Sequence, residues 1–110
     1  MRLSRRARNV IQNQKTTVLV SAASAWEIAI KSQMGRLEAG PLVIDFRAEI
    51  EEEGFGELPI YSQHAIRAGL LRGKHKDPFD RMLVAQAQAE SLVMVSRDEL
   101  FDQYGVRRIW

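Results

Sequence analysis

The stretch Thr16-Thr17-Val18-Leu19-Val20-Ser21-Ala22-Ala23-Ser24-Ala25-Trp26-Glu27-Ile28-Ala29-Ile30-Lys31 contains the handover on which the fold turns. Residues 16–20 form a run rich in β-branched side chains, which fit a pleated, buried strand. Ser24 then reads as the cap of a helix running to about Met34 and ended by Gly35. A strand that passes straight into a helix is the building unit of an α/β domain, and Glu27 stands just beyond the junction.

Working outward, residues 4–13 predict a helix with Ala7, Val10 and Ile11 on one side. Pro41 begins another, with Leu42, Val43, Phe46 and Ile50 at helical spacing before Glu51-Glu52-Glu53 and Gly54. Phe55 to Ile60 reads as a short strand, Ser62 opens a helix to about Leu71, and Asp77 opens a longer one to about Glu90. Leu92-Val93-Met94-Val95 is a second fully apolar strand, of the kind buried in parallel sheets. A brief helix at 98–103 and a strand at 106–109 complete the pass. Alternating strands and helices imply an α/β fold with a mainly parallel sheet and helices on both faces. The sequence opens on a charged helix and supplies only four short strands for six helical segments, so the sheet is expected to be one strand short.

The 110 residues contain no repeat, low-complexity tract or linker that would divide them, and fit one domain. A hydrophobic fraction of 45% with 27% charged residues matches a globular protein rather than a disordered one. Net charge is only +2, too small to argue nucleic-acid binding by itself. Basic residues do cluster: Arg2, Arg5, Arg6 and Arg8 lie in the first helix, and Arg72, Lys74, His75 and Lys76 precede the acidic motif. Such clusters either draw phosphate toward an acidic cleft or are solvated helix and loop faces. With no cysteine, disulfides, thiolate metal sites and cysteine nucleophiles are excluded, in keeping with a reducing cytoplasm. No run approaches the roughly 20 apolar residues of a membrane span, and Met1-Arg2-Leu3-Ser4-Arg5-Arg6 lacks the apolar stretch of a signal peptide. A soluble cytoplasmic protein is expected.

Three acids stand where strands give way to helices: Glu27, Asp80 in Asp77-Pro78-Phe79-Asp80-Arg81, and Asp98 in Ser96-Arg97-Asp98. Each has a local explanation. Ser24-x-x-Glu27 and Ser96-x-x-Glu99 have the form of capping boxes; Asp77 is a helix cap followed by Pro78 at the first helical position, with Asp80 facing the positive helix end. On that reading only Asp98 lacks a structural duty. The functional reading rests on coincidence: acids at the carboxyl ends of parallel strands face the crevice where ligands bind. Two carboxylates about 4 Å apart repel by roughly 4 kcal/mol at an effective dielectric of 20, so converging acids call for protonation, basic partners or a metal. Mg²⁺ or Mn²⁺ suits oxygen ligands and retains waters for chemistry. Nucleotide-binding glycine loops and a Gly-x-Ser-x-Gly elbow are absent from the sequence. His64, at a polar helix start, and His75, between lysines, lack metal-ligand spacing and read as surface residues.

Taken together, Val18-Leu19-Val20-Ser21, Ser24 through Lys31, Gly35-Arg36-Leu37, Asp77-Pro78-Phe79-Asp80-Arg81-Met82-Leu83-Val84-Ala85-Gln86-Ala87, Val95-Ser96-Arg97-Asp98 and Tyr104-Gly105-Val106-Arg107-Arg108-Ile109-Trp110 resemble PIN-domain proteins, over nearly the whole chain. The nearest branch is that of the VapC-type toxin ribonucleases of bacterial toxin–antitoxin pairs. The resemblance implies a three-layer sandwich in a single domain over residues 1–110. It also implies a Mg²⁺- or Mn²⁺-dependent endoribonuclease in which Glu27, Asp80 and Asp98 hold metal and Ser96 supports the site. Arg72, Lys74, Lys76 and Arg81 would contact RNA phosphates. The implied partners are RNA, a small cognate antitoxin and a second copy in a homodimer. One departure matters: such proteins begin with a central strand whose aspartate is the first metal ligand, and this sequence starts at the helix that follows it. Strands are spaced about 4.8 Å apart, so an unrepaired loss opens a gap near 9–10 Å with two rows of unpaired backbone groups. Weak or absent nuclease activity is therefore expected of the 110 residues alone. The competing reading is a non-catalytic PIN-like module that binds an antitoxin or dimerises.

Overall fold

The computed structural model describes residues 3–73 and 75–110, so the expectations for Arg2 and Lys74 lie outside the described residues. The elements run α1 (Arg5–Gln12), β1 (Leu19–Ser21), α2 (Ala22–Gln33), α3 (Gly40–Ile44), α4 (Phe46–Glu52), β2 (Gly56–Leu58), α5 (Ser62–Leu70), α6 (Pro78–Glu90), β3 (Met94–Val95), a 3₁₀ helix (Glu99–Tyr104) and β4 (Arg108–Ile109). This is a mixed α/β chain with small parallel sheets. It divides into two compact units, Thr17–Ile60 and Met1–Thr16 with Tyr61–Trp110.

Within Thr17–Ile60, β1 pairs with β2 in parallel, Leu19 opposite Gly56 and Ser21 opposite Leu58. A Cβ on Gly56 would come within 3.1 Å of the Leu19 side chain, so glycine lets that leucine lie against the neighbouring strand. The helix after β1 begins earlier than its sequence suggests. Ser21, not Ser24, is the cap: its Oγ accepts the Ala23 N–H at 3.0 Å, and Ser24 lies within the helix. The expected Ser24–Glu27 capping box is therefore not formed. The single helix expected from Pro41 is two, because Asp45 takes a non-helical backbone (φ −151°, ψ 84°) and uses its carboxylate to cap α4 through Ala48 N–H. Side chains at asparagine, aspartate and serine compete in this way for nearby backbone groups, which is why they end helices more readily than they extend them. Ser21, Ala23, Ala39 and Ile50 are buried here.

In the other unit α5 packs on α6. The pair contributes the buried residues His64, Ala68, Val84, Ala85, Gln86 and Ala87, and their small average size permits close helix approach. Ser91 ends α6 in the left-handed conformation (φ 54°), turning the chain toward β3. β3 pairs in parallel with β4, Met94 opposite Arg108 and Val95 opposite Ile109. Met94 and Ser96 direct their N–H groups to carbonyls of Arg107 and Ile109. Alternate residues of a strand present their backbone groups to opposite sides, so those of Val93 and Val95 face away from β4. The apolar run 92–95 is not fully buried: Val93 and Val95 are 42% and 39% exposed. Among the described residues each sheet has two strands, too few to cover both sides of either strand. No helix among the described residues is long and apolar enough to cross a membrane.

Candidate functional site

Asp77 opens α6 as the sequence indicates. Its Oδ1 accepts from the N–H groups of Phe79 (2.8 Å) and Asp80 (3.2 Å), with Pro78 at the first helical position. Because Asp77 fills the cap, the Asp80 side chain serves otherwise. Its Oδ2 accepts from His75 Nε2 at 2.6 Å. An ionised carboxylate only accepts hydrogen bonds, so the imidazole carries a proton on Nε2. His75 is thus not the surface residue that its lysine neighbours suggested; its side chain is 16% exposed and its ring meets Phe101 edge-on at 6.2 Å. Arg81, one residue past Asp80, turns back to the same loop and donates to the carbonyls of Leu71 and His75. Arg81, expected to meet RNA phosphate, instead holds the loop that carries His75.

The second acid of this unit follows β3. Asp98 caps the 3₁₀ helix, its Oδ1 accepting from Leu100 N–H at 2.9 Å, and Ser96 Oγ accepts from Asp98 N–H at 3.1 Å. This corrects two sequence expectations. The Ser96–Glu99 capping box does not form, and Asp98 does have a structural duty, fixing the turn in which it stands. Ser96 is also tied through its carbonyl to Arg108 Nη1 at 3.1 Å. Arg108 grips Asp102 with Nε and Nη2, at 2.9 and 3.0 Å. Those hydrogen bonds hold the Asp102 carboxyl below the usual carboxylate range and push the Arg108 guanidinium further up.

Asp80, Ser96, Arg97, Asp98, Glu99 and Phe101 line one open cleft of about 640 Å³. The structure therefore brings Asp80, Asp98 and Ser96 together, and adds Arg97 as a cation on the same wall. Glu27 belongs to the other unit, in the interior of α2, where its carboxylate meets Lys31 Nζ at 3.2 Å one turn along the helix. Arg72 and Lys76 are exposed on the loop between α5 and α6. Among the described residues no group of three or more histidine, cysteine, aspartate or glutamate side chains stands close enough to hold a metal ion.

His64 is the other corrected histidine. It is fully buried, with Nδ1 accepting from Tyr61 N–H (3.1 Å) and Nε2 donating to Glu90 Oε2 (3.1 Å), which fixes its neutral tautomer. The available signal was its position one turn before Ala68 on α5, a shared face that a polar neighbourhood obscured. His75 carried a fainter signal: five residues before Asp80, it lies in a loop short enough to fold back over the first turn of α6.

The chain belongs to the PIN domain family, whose domain matches residues 2–106. This is a family of nucleases that are typically metal-dependent. No curated protein matches the chain. The donor set of the cleft fits a hard divalent cation: its oxygen donors include Asp80 and Asp98 with Ser96 beside them, Glu99 also lines it, there is no cysteine, and Mg²⁺ commonly takes only one or two protein carboxylates.

Proposed function

We propose that this chain is a Mg²⁺- or Mn²⁺-dependent endoribonuclease, the toxin half of a toxin–antitoxin pair, hydrolysing RNA phosphodiesters. The observation that carries the reading is the shared cleft of Asp80, Ser96 and Asp98 in a PIN-family chain. Asp80 and Asp98 would hold the cation, with Glu27 as the third acid. When bound, the ion lowers the pKa of its water and stabilises charge on the phosphate oxygens. Asp98 is held at a fixed turn by its bond from Leu100 N–H, and Ser96 steadies that turn from the Asp98 N–H, so neither group reorganises when substrate arrives. Arg97 positions a phosphate at the cleft wall, and Arg72, Lys74 and Lys76 add electrostatic attraction, positioning RNA without reading its sequence.

The same reading includes a cytoplasmic protein restrained by a cognate antitoxin and assembling as a homodimer. It includes the three-layer sandwich about a mainly parallel sheet, supported by the parallel pairing within each unit. A further central strand, bearing the first acid of the family pattern, is part of this reading; the exposed Val93 and Val95 and their outward-facing backbone groups support it.

The test is cleavage of RNA by the purified chain, and by the same chain extended through its upstream reading frame, with Mg²⁺ or Mn²⁺ and with chelator. Divalent-dependent cleavage, weak or absent with the 110 residues alone and restored in the extended chain, and abolished by Asp80→Asn, is the expected result. A folded, extended protein that cuts no RNA, or cuts it equally in chelator, would defeat the catalytic claim. Antitoxin binding without cleavage or metal uptake would establish the non-catalytic module instead.

A further inference from the structure

We infer that His75 is a positioning residue for the Asp80 carboxylate, and through it sets the affinity of the cleft for a divalent cation. This rests on the reading of Asp80 as a ligand in a metal-dependent nuclease. Three contacts converge on His75. Its ring donates to Asp80 Oδ2 at 2.6 Å, its ring also meets Phe101 at 6.2 Å, and its carbonyl accepts from Arg81 Nη1 at 3.0 Å. Arg81 also donates to the Leu71 carbonyl, so the loop is pinned at both of its ends to the first turn of α6. Phe101 is buried and lines the same cleft as Asp80.

The arrangement does more than fill space. Asp77 already satisfies the start of α6, so the His75–Asp80 bond is not needed to cap the helix. A carboxylate at the first turn has two soft side-chain torsions. A donor fixed from a second segment locks Oδ2, and with it the plane of the whole group. Ligating carboxylates are regularly held by such outer partners, and loss of one typically weakens metal binding 10–100-fold. Being part-buried strengthens the constraint, since water competes poorly for a bond whose partners are 16% and 25% exposed. Glutamine in place of His75 would present an amide N–H where Nε2 stands, whereas alanine would not.

The experiment measures Mn²⁺ binding by calorimetry and divalent-dependent RNA cleavage for the full chain, His75→Ala, His75→Gln and Asp80→Asn, with thermal melts confirming that each is folded. His75→Ala should bind Mn²⁺ about 10–100-fold more weakly. Its cleavage should recover as Mn²⁺ is raised, so that the metal requirement moves more than the rate at saturating metal. His75→Gln should regain most of the affinity. If His75→Ala binds and cleaves like the parent while Asp80→Asn loses both, the positioning role is wrong and the nuclease reading survives. If neither substitution changes Mn²⁺ binding, or the parent binds none, both fall. Should His75→Ala prove unfolded, His75→Phe takes its place, filling the space without a donor: weakened Mn²⁺ binding that His75→Gln restores supports the role, and parental binding by a folded His75→Phe overturns it.

Discussion

Two helices, α2 and α6, each start from a capped turn and each carries an acid of interest, yet the two acids are held in different ways. Glu27 meets Lys31, its neighbour one turn along the same helix, at 3.2 Å. Asp80 meets His75, from the loop before its helix, at 2.6 Å. The first pair follows from helical geometry alone and is available to any exposed Glu–Lys at that spacing. The second exists only if the preceding loop is folded, and Arg81 is the residue that folds it. A carboxylate at the head of a helix thus takes its chemistry from the segment that leads into the helix rather than from the helix itself.

The sharpest way to break this comparison is to neutralise each acid without changing its shape. Asp80→Asn should lower divalent-dependent cleavage by more than about 100-fold, beyond what loss of an outer-shell partner does, whereas Glu27→Gln should cost about tenfold. Single-turnover RNA cleavage at several Mn²⁺ concentrations measures both. Equal losses would mean that the two settings do not matter; no loss for Glu27→Gln would leave a centre of two acids.

A second large effect is expected in the core. His64 is fully buried, and its removal breaks its bonds with Glu90 Oε2 and the Tyr61 N–H while opening a cavity between α5 and α6. His64→Ala should destabilise the chain by about 3 kcal/mol, read from urea unfolding. A change below about 1 kcal/mol would show that the buried network contributes little.

These residues also mark how far the sequence could be read. The order of strands and helices was legible because apolar period and cap chemistry are local: Asp77-Pro78 announces α6 without reference to anything distant. Glu27 in the helix after β1, and Asp80 and Asp98 at their turns, were likewise placed on the right elements. The roles of the two histidines were not legible, because each depends on a partner 5 or 26 residues away and nothing in a polar window signals it. The cap of α2 was misplaced by three residues, since Ser21 and Ser24 are equally good caps by composition and only the end of β1 decides between them. The burial of Val93 and Val95 was overestimated because an apolar run reports what a strand prefers, not which neighbours it has.

Smaller effects sharpen the contrast between α6 and its neighbours. Asp77→Ala removes the acceptor for two N–H groups and should cost about 1 kcal/mol, the usual worth of a helix cap. If the His75–Asp80 bond is anchored from the loop, Mn²⁺ affinity should change less in this variant than in His75→Ala; an equal loss would mean that the cap, not the loop, orients Asp80.

The pH dependence of the 3₁₀ helix and its link to β4 follows from Asp102. Arg108 holds its folded-state carboxyl below the unfolded value, so the stabilisation is fully present above the unfolded pKa and is lost as pH falls through the folded one. An NMR titration of the Asp102 carboxyl should therefore show a midpoint below that of a free aspartate, and Arg108→Gln should return it to the ordinary range. An unchanged midpoint would mean that the paired hydrogen bonds do not persist in solution.

The weakest effect belongs to the pair with which the comparison began. Lys31 is half exposed and Glu27 about a third, so water and salt screen the bridge, and exposed pairs one helical turn apart contribute only about 0.3–0.5 kcal/mol. Lys31→Ala should therefore lower stability by no more than about that amount, with the loss vanishing in high salt. A weak pair is also easily exchanged: whatever brings a divalent cation to Glu27 has to overcome only this small attraction, so Lys31→Ala should leave Mn²⁺ affinity unchanged or slightly tighter. A clear weakening of Mn²⁺ binding would instead make Lys31 the partner that orients Glu27, and the two helices would then hold their acids by the same principle.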